Sequence, residues 1–394
     1  MNYILFDDEK RNNLLPFTFT RPACDIRIGI LTIREKWEFL LKAAVSTYTE
    51  TYLSIKYPEQ KENINTYING RLLPSEKIHH AIENLQENQA LFSPDNDLLA
   101  LRSSELIFPL NPNGLSRKEP DTNIKLIEWP WDIFQSNGEA IRADFAMITK
   151  GRTSGVLDTS NNVAGKENIF AEPGAKARFA TINAEEGPVY LGKDSELMEG
   201  TMIRGPFSLG EHSATKLGAK IYGPTTIGPH SKVGGELNNT VIFGYSNKAH
   251  DGFLGNAVLG EWCNIGADSN NSNLKNNYAP VKVWSYPTES FVSTGLQFCG
   301  LLMADHTKCG INTMFNTGTV TGVSANIFGA GFPRNFIPSF SWGGASKLTT
   351  YGLNKALEVA ELVMSRRNSP LSQPDIDILT HIFRATEKYR QFLK

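Results

Sequence analysis

The chain has 394 residues, more than one ordinary hydrophobic core requires, so two or three domains are expected. A formal net charge of −2 at pH 7 gives no electrostatic case for binding nucleic acid or an anionic membrane. The 4 cysteines lack Cys-x-x-Cys spacing, no apolar run is long enough to span a bilayer, and the first residues do not resemble a signal peptide. These features disfavour a cysteine zinc site or a disulfide framework and favour a reduced, cytoplasmic setting.

The N-terminal region begins as an α/β domain. Residues 2–6 predict a buried strand, and an amphipathic helix follows from about Thr32 to Lys42. Arg21 and Arg27 lie between them, just ahead of the helix start. Backbone N–H groups at a helix start and nearby guanidinium groups both favour phosphate, so this loop is a candidate phosphate site. The alternative is that both arginines are surface salt-bridge partners.

The rest of this region predicts short strands and helices. One helix is expected from Ser75, a candidate N-cap, to about Asn88, and another begins after Trp129–Asp132. Residues 151–168 are rich in Gly, Ser, Thr and Asn and indicate a linker. The expected domains are an α/β domain over 1–150, a solenoid over 151–345 and a helical tail over 346–394.

The middle of the chain has a period of six. Seven of the eight residues in this register are aliphatic: Leu191, Leu197, Ile203, Leu209, Thr215, Ile221, Ile227 and Val233. A helix repeats its apolar face every 3.6 residues and a strand every 2, so neither explains a strict six. The period is typical of a parallel β-helix built from hexapeptide repeats. Glycine often follows the aliphatic residue, as at Gly210 and Gly228, and this position is expected to require φ > 0.

The limits of the solenoid follow from the same register. Coils are expected from about Asn168, an Asn-rich excursion leaves the repeat over 268–300, and Gly331–Trp342 ends the solenoid. Two tail helices are predicted, Leu353–Arg366 and Pro374–Phe392. The predicted fold class is an α/β N-terminal domain plus a left-handed parallel β-helix with C-terminal helices.

His250 interrupts the repeat and is a candidate base. An imidazole can remove a proton from an amine or hydroxyl that attacks a thioester. Asn264 and Asn273 follow and are candidates to orient the substrate or the imidazole. The alternative is that His250 only hydrogen-bonds a corner of the coil. A zinc site is disfavoured, because no His-x4-His pair occurs among the widely separated histidines of this region. These histidines are His212, His230, His250 and His306.

The segment Lys248–Ala267 resembles the acetyltransferase part of the bifunctional enzyme family that makes UDP-N-acetylglucosamine. In that family a His, an aromatic residue shortly after it, a coil ending in Asn-Ile-Gly-Ala and a later Asn line the active site. The resemblance implies that His250 is the acetyl-transfer base, that Asn264 and Asn273 orient the substrate, and that acetyl-CoA is the co-substrate. Phe253 falls where the family has Tyr, so the substrate contact implied there has no hydroxyl.

The block Leu15–Trp37 resembles a divergent sugar nucleotidyltransferase domain that is fused to hexapeptide-repeat β-helices in some bacteria. Thr20-Arg21-Pro22 is the candidate counterpart of the family's phosphate loop, and Lys36 is the candidate for its phosphate-contacting lysine. The family's Gly-Asp metal dipeptide falls near Gly70-Arg71, and an Arg there cannot bind Mg²⁺. The metal normally offsets charge on the phosphates, so Arg71 is a candidate to replace part of that charge. Nucleotidyl transfer is compatible with Mg²⁺, but the usual Asp is not found.

The predicted function is a sugar-1-phosphate nucleotidyltransferase fused to an acetyl-CoA-dependent acyltransferase, in the synthesis of UDP-N-acetylglucosamine or a related nucleotide sugar. Arg21, Arg27 and Lys36 hold phosphates in this hypothesis, the small-molecule partner is a nucleotide sugar or sugar phosphate, and a homotrimer is expected. Two alternatives stay open: a non-catalytic nucleotide-sugar binding protein, or a nucleotidyltransferase whose β-helix only trimerises. In the acetyltransferase family an Arg and a Lys bind the sugar phosphate, and their positions fall near Tyr222 and Asn238 here. Both positive charges are therefore absent, which favours the non-catalytic binding protein.

Overall fold

The computed structural model describes residues 1–106 and 114–393, which pack as two compact units. The N-terminal unit comprises Met1–Leu14, Thr20–Ile26 and Leu31–Trp129, and the solenoid unit comprises Leu15–Phe19, Arg27–Ile30 and the chain from Pro130 onward. The predicted fold class is confirmed, with an α/β N-terminal part, a parallel β-helix and C-terminal helices. None of the helices in the described ranges combines the length and apolar character needed to cross a bilayer.

A six-stranded mixed sheet forms the centre of the N-terminal unit. Its strands are β1 Asn2–Phe6, β2 Ser46–Tyr48, β3 Asn65–Asn69, β4 Gln89–Phe92, β5 Leu98–Ser103 and β6 Ser116–Lys118, in the order β2-β1-β3-β5-β4-β6. β1 runs parallel to β2 and β3, whereas β5 is antiparallel to β3 and β4. Ile4, Leu5 and Phe6 are all fully buried, so both faces of β1 are covered. The polar residues Asp7 and Asp8 therefore emerge at the carboxyl end of this central strand.

The helices of the N-terminal unit begin at capped positions. They are α1 Ile33–Leu41, α2 Thr51–Ser54 and α3 Glu76–Glu83. Thr32 Oγ1 accepts the N–H of Glu35 at 3.1 Å, and the Glu35 carboxylate accepts the N–H of Thr32 at 2.6 Å. This capping box fixes the start of α1, which lies where the sequence predicts an amphipathic helix to begin. α3 starts after Ser75 as predicted, but it ends before Asn88, because Asn84 donates to the carbonyl of His80 at 2.8 Å and caps the last turn.

The solenoid unit is a parallel β-helix whose short strands form three faces. The first face holds Asn162–Ala164, Thr181–Asn183, Met202–Arg204 and Lys220–Tyr222. The second face holds Ile169–Ala171, Val189–Leu191, Phe207–Leu209, Thr225–Ile227, Leu302–Met303, Val320–Thr321 and Phe336–Ile337. The third face holds Lys176–Ala177, Glu196–Leu197, Ala214–Thr215, Lys232–Val233, Asn247–Lys248, Asn264–Ile265, Lys308–Cys309, Asn326–Ile327 and Ser341–Gly343, with Leu348–Thr350 antiparallel at its end. The long strands Glu236–Gly244 and Phe253–Glu261 pass from the first face to the second, and Asn270–Asn271 pairs with Met314–Phe315.

The residues of the six-residue register point into the coil. All eight, from Leu191 to Val233, expose 3% or less of their surface. Each buried aliphatic side chain contributes about 1.5–3 kcal/mol relative to its exposed state. The exception, Thr215, is tolerated because its hydroxyl lies 2.8 Å from the hydroxyl of Thr201 inside the coil. The apolar period therefore marks the core of the solenoid, as predicted.

The glycines that follow these inward residues are required for a reason other than the predicted positive φ. Gly210 and Gly228 do not have positive φ, whereas His212 and His230, two positions later, have φ of 54° and 55°. A Cβ built on Gly228 would lie only 1.9 Å from the carbonyl oxygen of Phe243. The prediction of a left-handed glycine is thus wrong: the glycine is required by the close approach of the next coil.

The solenoid is longer than the apolar period indicates. Its first strand, Asn162–Ala164, lies inside the predicted linker and pairs with Thr181–Asn183. Its last strands, Phe336–Ile337 and Ser341–Gly343, lie at the segment that was expected to end it. The excursion is shorter than the predicted 268–300, because Asn270–Asn271 still pairs with a neighbouring coil and the chain leaves the repeat only after Asn271. It contains an antiparallel hairpin, Lys282–Ser285 with Ser290–Ser293. Backbone pairing continues at these positions although the side chains do not keep the apolar period.

Four α-helices described in the structure belong to the solenoid unit: α4 Asp132–Gln135, α5 Asn137–Thr149, α6 Leu353–Ser365 and α7 Gln373–Ala385. Asn137 fixes α5 to the second face, because its Oδ1 accepts from Thr226 Oγ1 at 3.0 Å and from the N–H of Gly29 at 2.8 Å. Both tail helices are confirmed. The second ends before the predicted Phe392, and the 3-10 helix Glu387–Leu393 follows it.

Candidate active site

A groove on the third face contains His250. It has a volume of about 880 Å³, and the residues around it come from the third face, its two corners and one side of α6. Its lining is Lys216, Lys232, Tyr245, Asn247, Ala249, His250, Trp262, Cys263, Asn264, Ile265, Gly266, Ala267, Lys308, Ile311, Val359, Val363, Arg366 and Arg367. His250 lies two residues after the strand Asn247–Lys248, and Asn264 is the register partner of Asn247 on the next coil. Both His250 and Asn264 are exposed in the groove.

The groove is strongly cationic. Five lysine and arginine side chains line it, and its described lining includes no Asp or Glu. Burial lowers the pKa of Lys232, and the charges of Arg367, Lys216 and Arg366 lower it further. Burial also lowers the pKa of Lys308 to about 8. Cations that repel one another with no carboxylate between them favour an anionic ligand, for which phosphate groups have the matching charge and hydrogen-bonding capacity.

None of these cations was among the site residues predicted from the sequence. Lys216 directly follows Thr215, and Lys232 directly precedes Val233. Since Thr215 and Val233 belong to the inward register, the six-residue period could have predicted that both lysines point outward from the coil. Arg366 and Arg367 follow the last turn of α6, and no local pattern indicates which face this helix covers. Arg367 Nη2 lies 3.4 Å from Asn247 Oδ1, a contact between residues 120 positions apart.

The structure brings His250 and Asn264 together but does not place Asn273 or Phe253 among the groove's lining residues. Asn273 Nδ2 donates to Asn256 Oδ1 at 2.8 Å. The backbone N–H of Phe253 donates to Asn270 Oδ1 at 2.7 Å. These contacts tie both residues to neighbouring coils, and their substrate roles stay predictions.

A stack of five rings runs along one corner of the coil, and two of its rings, Tyr245 and Trp262, line the groove. The rings are those of His212, His230, Tyr245, Trp262 and His306, and neighbouring centroids are 4.3 to 6.3 Å apart. All five residues have positive φ, so each turns at the same corner of its coil. The spacing of stacked strands, about 4.8 Å, suits ring stacking. Three of the widely separated histidines therefore belong to a stack. Burial, followed by the neighbouring His212, lowers the pKa of His230.

A second cluster of charges lies in the N-terminal unit. Arg71 is fully buried, and its Nε and Nη2 donate to the two carboxylate oxygens of Asp8 at 2.9 and 2.6 Å. Asp97 lies 3.5 Å from Nη2 of Arg71 and 2.7 Å from Nζ of Lys10. Burial raises the pKa of Asp8, but the hydrogen bonds and charge of Arg71 outweigh it and hold that pKa below its usual value. Each cation in this cluster has a carboxylate partner.

The donor set of this cluster does not fit Mg²⁺. The metal prefers an octahedron of oxygen ligands, but a guanidinium holds both oxygens of Asp8 and an ammonium holds Asp97. Across the described ranges, no group of three or more His, Cys, Asp or Glu side chains could hold a metal ion. This cluster therefore does not provide a Mg²⁺ site.

The other residues considered for phosphate binding are buried. Arg21 and Lys36 lie in the N-terminal unit and expose 5% and 4% of their surfaces. Arg27 lies in the solenoid unit, where its Nε donates to the carbonyl of Phe243 at 2.9 Å and its Nη1 to that of Ile30 at 2.5 Å. Arg27 thus holds backbone carbonyls, and a phosphate role for these three residues stays a prediction.

Comparison with protein families gives one match. Residues 3–153 match the model of a family described as sugar nucleotidyl transferase. This match covers the region in which the sequence predicts a nucleotidyltransferase-like domain, and at the level of class the chain is a transferase, as predicted. The search of curated proteins found no significant match.

Several solved structures are similar to part of this chain. The UDP-N-acetylglucosamine acyltransferase from Campylobacter jejuni is 13% identical, with a TM-score of 0.38, covering 59% of this chain and 83% of that chain. The Arabidopsis UDP-N-acetylglucosamine acyltransferase is 15% identical, with a TM-score of 0.29, covering 54% and 80%. The polySia specific acetyltransferase NeuO is 13% identical, with a TM-score of 0.29, covering 49% and 86%. All three similarities are low in both sequence identity and TM-score.

Proposed function

We propose that the chain joins two transferase activities toward a nucleotide sugar: nucleotidyl transfer to a sugar 1-phosphate by the N-terminal unit, and acyl transfer from acetyl-CoA in the groove. The proposal of acyl transfer is carried by one observation. The exposed imidazole of His250 lies in a groove whose described lining has five Lys and Arg side chains and no carboxylate. A thioester donor that carries phosphates would supply the missing negative charge. UDP-N-acetylglucosamine or a related nucleotide sugar is the proposed product.

The acyl-transfer step needs one base. The imidazole of His250 accepts a proton from the acceptor amine or hydroxyl as that atom forms a bond to the thioester carbonyl carbon. The carbon–sulfur bond then breaks, and the proton passes to the leaving thiolate. Asn264, which also lines the groove, would orient the acceptor or the donor carbonyl. Lys216, Lys232, Arg366 and Arg367 would bind the phosphates.

Turnover of acetyl-CoA with glucosamine 1-phosphate tests this step. The variant His250→Ala is expected to lose roughly 100-fold or more in kcat, the usual contribution of a general base. His212→Ala is the matched control, because His212 is a half-exposed imidazole of the same solenoid that does not line the groove. Equal turnover in wild type and His250→Ala would remove this imidazole from the mechanism.

The Arg71 cluster favours a second candidate for the N-terminal unit, which is nucleotide-sugar binding without nucleotidyl transfer. Its carboxylates are held by Arg71 and Lys10 and do not provide a metal site. Calorimetry with a UDP-sugar, combined with an assay of pyrophosphate release from UTP and sugar 1-phosphate, separates the two. Pyrophosphate release supports nucleotidyl transfer, whereas binding without release supports the binding unit.

The proposed assembly is a homotrimer, because stiff β-helices present flat faces that suit symmetric association. Light scattering of the purified chain gives the mass directly. A monomeric mass would contradict the trimer and leave the groove, which lies within one chain, unaffected.

A further inference from the structure

One inward position of the third face is occupied by a lysine. Lys248 exposes 1% of its surface and is among the largest fully buried side chains of the protein. Its register partner on the preceding coil is Val233, and Ile265 holds the inward position of the following coil. The neighbouring coils therefore fill the same position with aliphatic side chains.

The ammonium of Lys248 is bound by the corner that carries His250. Its Nζ donates to the carbonyl oxygens of Gly234 and Asp251, each at 3.1 Å, and to the carbonyl oxygen of His250. An ammonium has three N–H donors, so these three carbonyls satisfy it completely. Two of the three belong to His250 and to the residue directly after it.

Packing does not account for this lysine. A buried cation is unfavourable unless its hydrogen bonds compensate, and burial lowers the pKa of Lys248 to about 8. The coils on either side build their third-face strands with Val233 and Ile265 at this position, so the fold does not require a charge there. What distinguishes this coil is the exposed imidazole at its corner, on the groove side.

We propose that Lys248 is a positioning residue, whose ammonium holds the carbonyls of His250 and Asp251 inward and thereby keeps the imidazole of His250 directed into the groove. It touches backbone atoms of the corner and lies beneath the reacting groups. The catalytic consequence rests on the proposed acyl transfer, whereas the orientation of the imidazole does not depend on that reaction.

The test compares Lys248→Met with wild type, because methionine keeps an unbranched chain of similar length and removes the ammonium. Ile327→Met is the matched control, a change at a fully buried inward position of the same face. The first measurement is the rate of ethoxyformylation of His250 by diethyl pyrocarbonate, followed on its peptide by mass spectrometry. The expected result is a change of about threefold or more in Lys248→Met and none in the control, since a misplaced side chain alters both access and reactivity.

The second measurement is acyl transfer. Lys248→Met is expected to lower kcat about tenfold or more while KM for the acyl donor stays the same, because the phosphate-binding cations are untouched. A changed modification rate in a protein whose wild type has no acyltransferase activity would support the positioning role and defeat the proposed function. An unchanged modification rate together with unchanged kcat would overturn the positioning role.

If Lys248→Met does not fold, Lys248→Gln keeps two N–H donors without the charge and takes the same measurements. A partial change in the modification rate supports the proposal. Failure of both variants to fold, with Ile327→Met folded, would show that the lysine is a requirement of the solenoid and would overturn the positioning role.

Discussion

The two clusters of charge in this protein are built in opposite ways. In the N-terminal unit, Arg71 is fully buried and each of its nearest charged neighbours is a carboxylate, led by Asp8 at 2.6 Å. In the groove of the solenoid unit, five cations line one cavity, and the lining described there includes no carboxylate. The same residue types are thus paired with carboxylates in one region and lie without a carboxylate among the described lining in the other.

This difference separates a structural role in the N-terminal unit from the binding role proposed for the groove. A buried cation with its carboxylate in place becomes strongly destabilising when one partner is removed, because the other charge is left buried. Removing one of several cations that repel one another has the opposite effect on stability, because it relieves the repulsion. The expected loss is then only in the binding of an anion. Substitutions in the two regions should therefore change different measurements.

The largest expected effect is on the stability of the N-terminal unit. Arg71→Met leaves Asp8 and Asp97 without their guanidinium and is expected to lower the free energy of unfolding by about 3–5 kcal/mol. Hydrogen exchange of the β1 and β3 peptides measures this loss. Lys61→Met is the control, because Lys61 makes partly exposed ion pairs of 3.5 and 3.6 Å, and a change of less than about 0.5 kcal/mol is expected. A loss in Arg71→Met no larger than in the control would show that the cluster is not a structural ion network.

The groove should respond in binding. Replacing Lys216 and Lys232 together by alanine is expected to raise KM for acetyl-CoA about tenfold, a loss of about 1.4 kcal/mol, without lowering thermal stability. Relief of the repulsion that lowers the pKa of Lys232 is the reason stability is kept. Lys220→Ala is the control, since Lys220 is exposed on the first face and does not line the groove. Equal KM values in the double variant and the control would contradict an anion-binding groove.

The smallest expected effect is a pH dependence of stability at Lys248. Folding lowers the pKa of this lysine from 10.5 to about 8, chiefly through burial. Between these values the unfolded chain binds more protons than the folded one, so the free energy of unfolding rises with pH across this window. Relative to Lys248→Met, wild type is expected to gain on the order of 1 kcal/mol between about pH 8 and 9. Urea unfolding at both pH values measures it, and a difference independent of pH would show that the lysine is charged equally in both states.

The sequence indicates local features well and pairings poorly. The eight residues from Leu191 to Val233 are all inward, and helices begin close to Thr32 and Ser75 as predicted, because burial and capping depend on residues a few positions apart. The prediction for the glycines failed, because the requirement at Gly228 comes from the carbonyl of Phe243 on another coil. For the proposed site, the sequence predicted His250 and Asn264, which both line the groove, but it did not predict the cations around them.

By itself the sequence determined the solenoid, the α/β start and the tail helices. Each of these is indicated by a hydrophobic period or by helix-start residues, which are local features of short stretches of chain. Only the tertiary structure decided that α6 brings Arg366 and Arg367 to the third face, that Arg71 pairs with Asp8, and that Lys248 points inward to the corner of His250. These contacts join residues on different coils, strands or helices. Their energies depend on distances that the stacking of those elements sets, and no pattern along the chain carries that information.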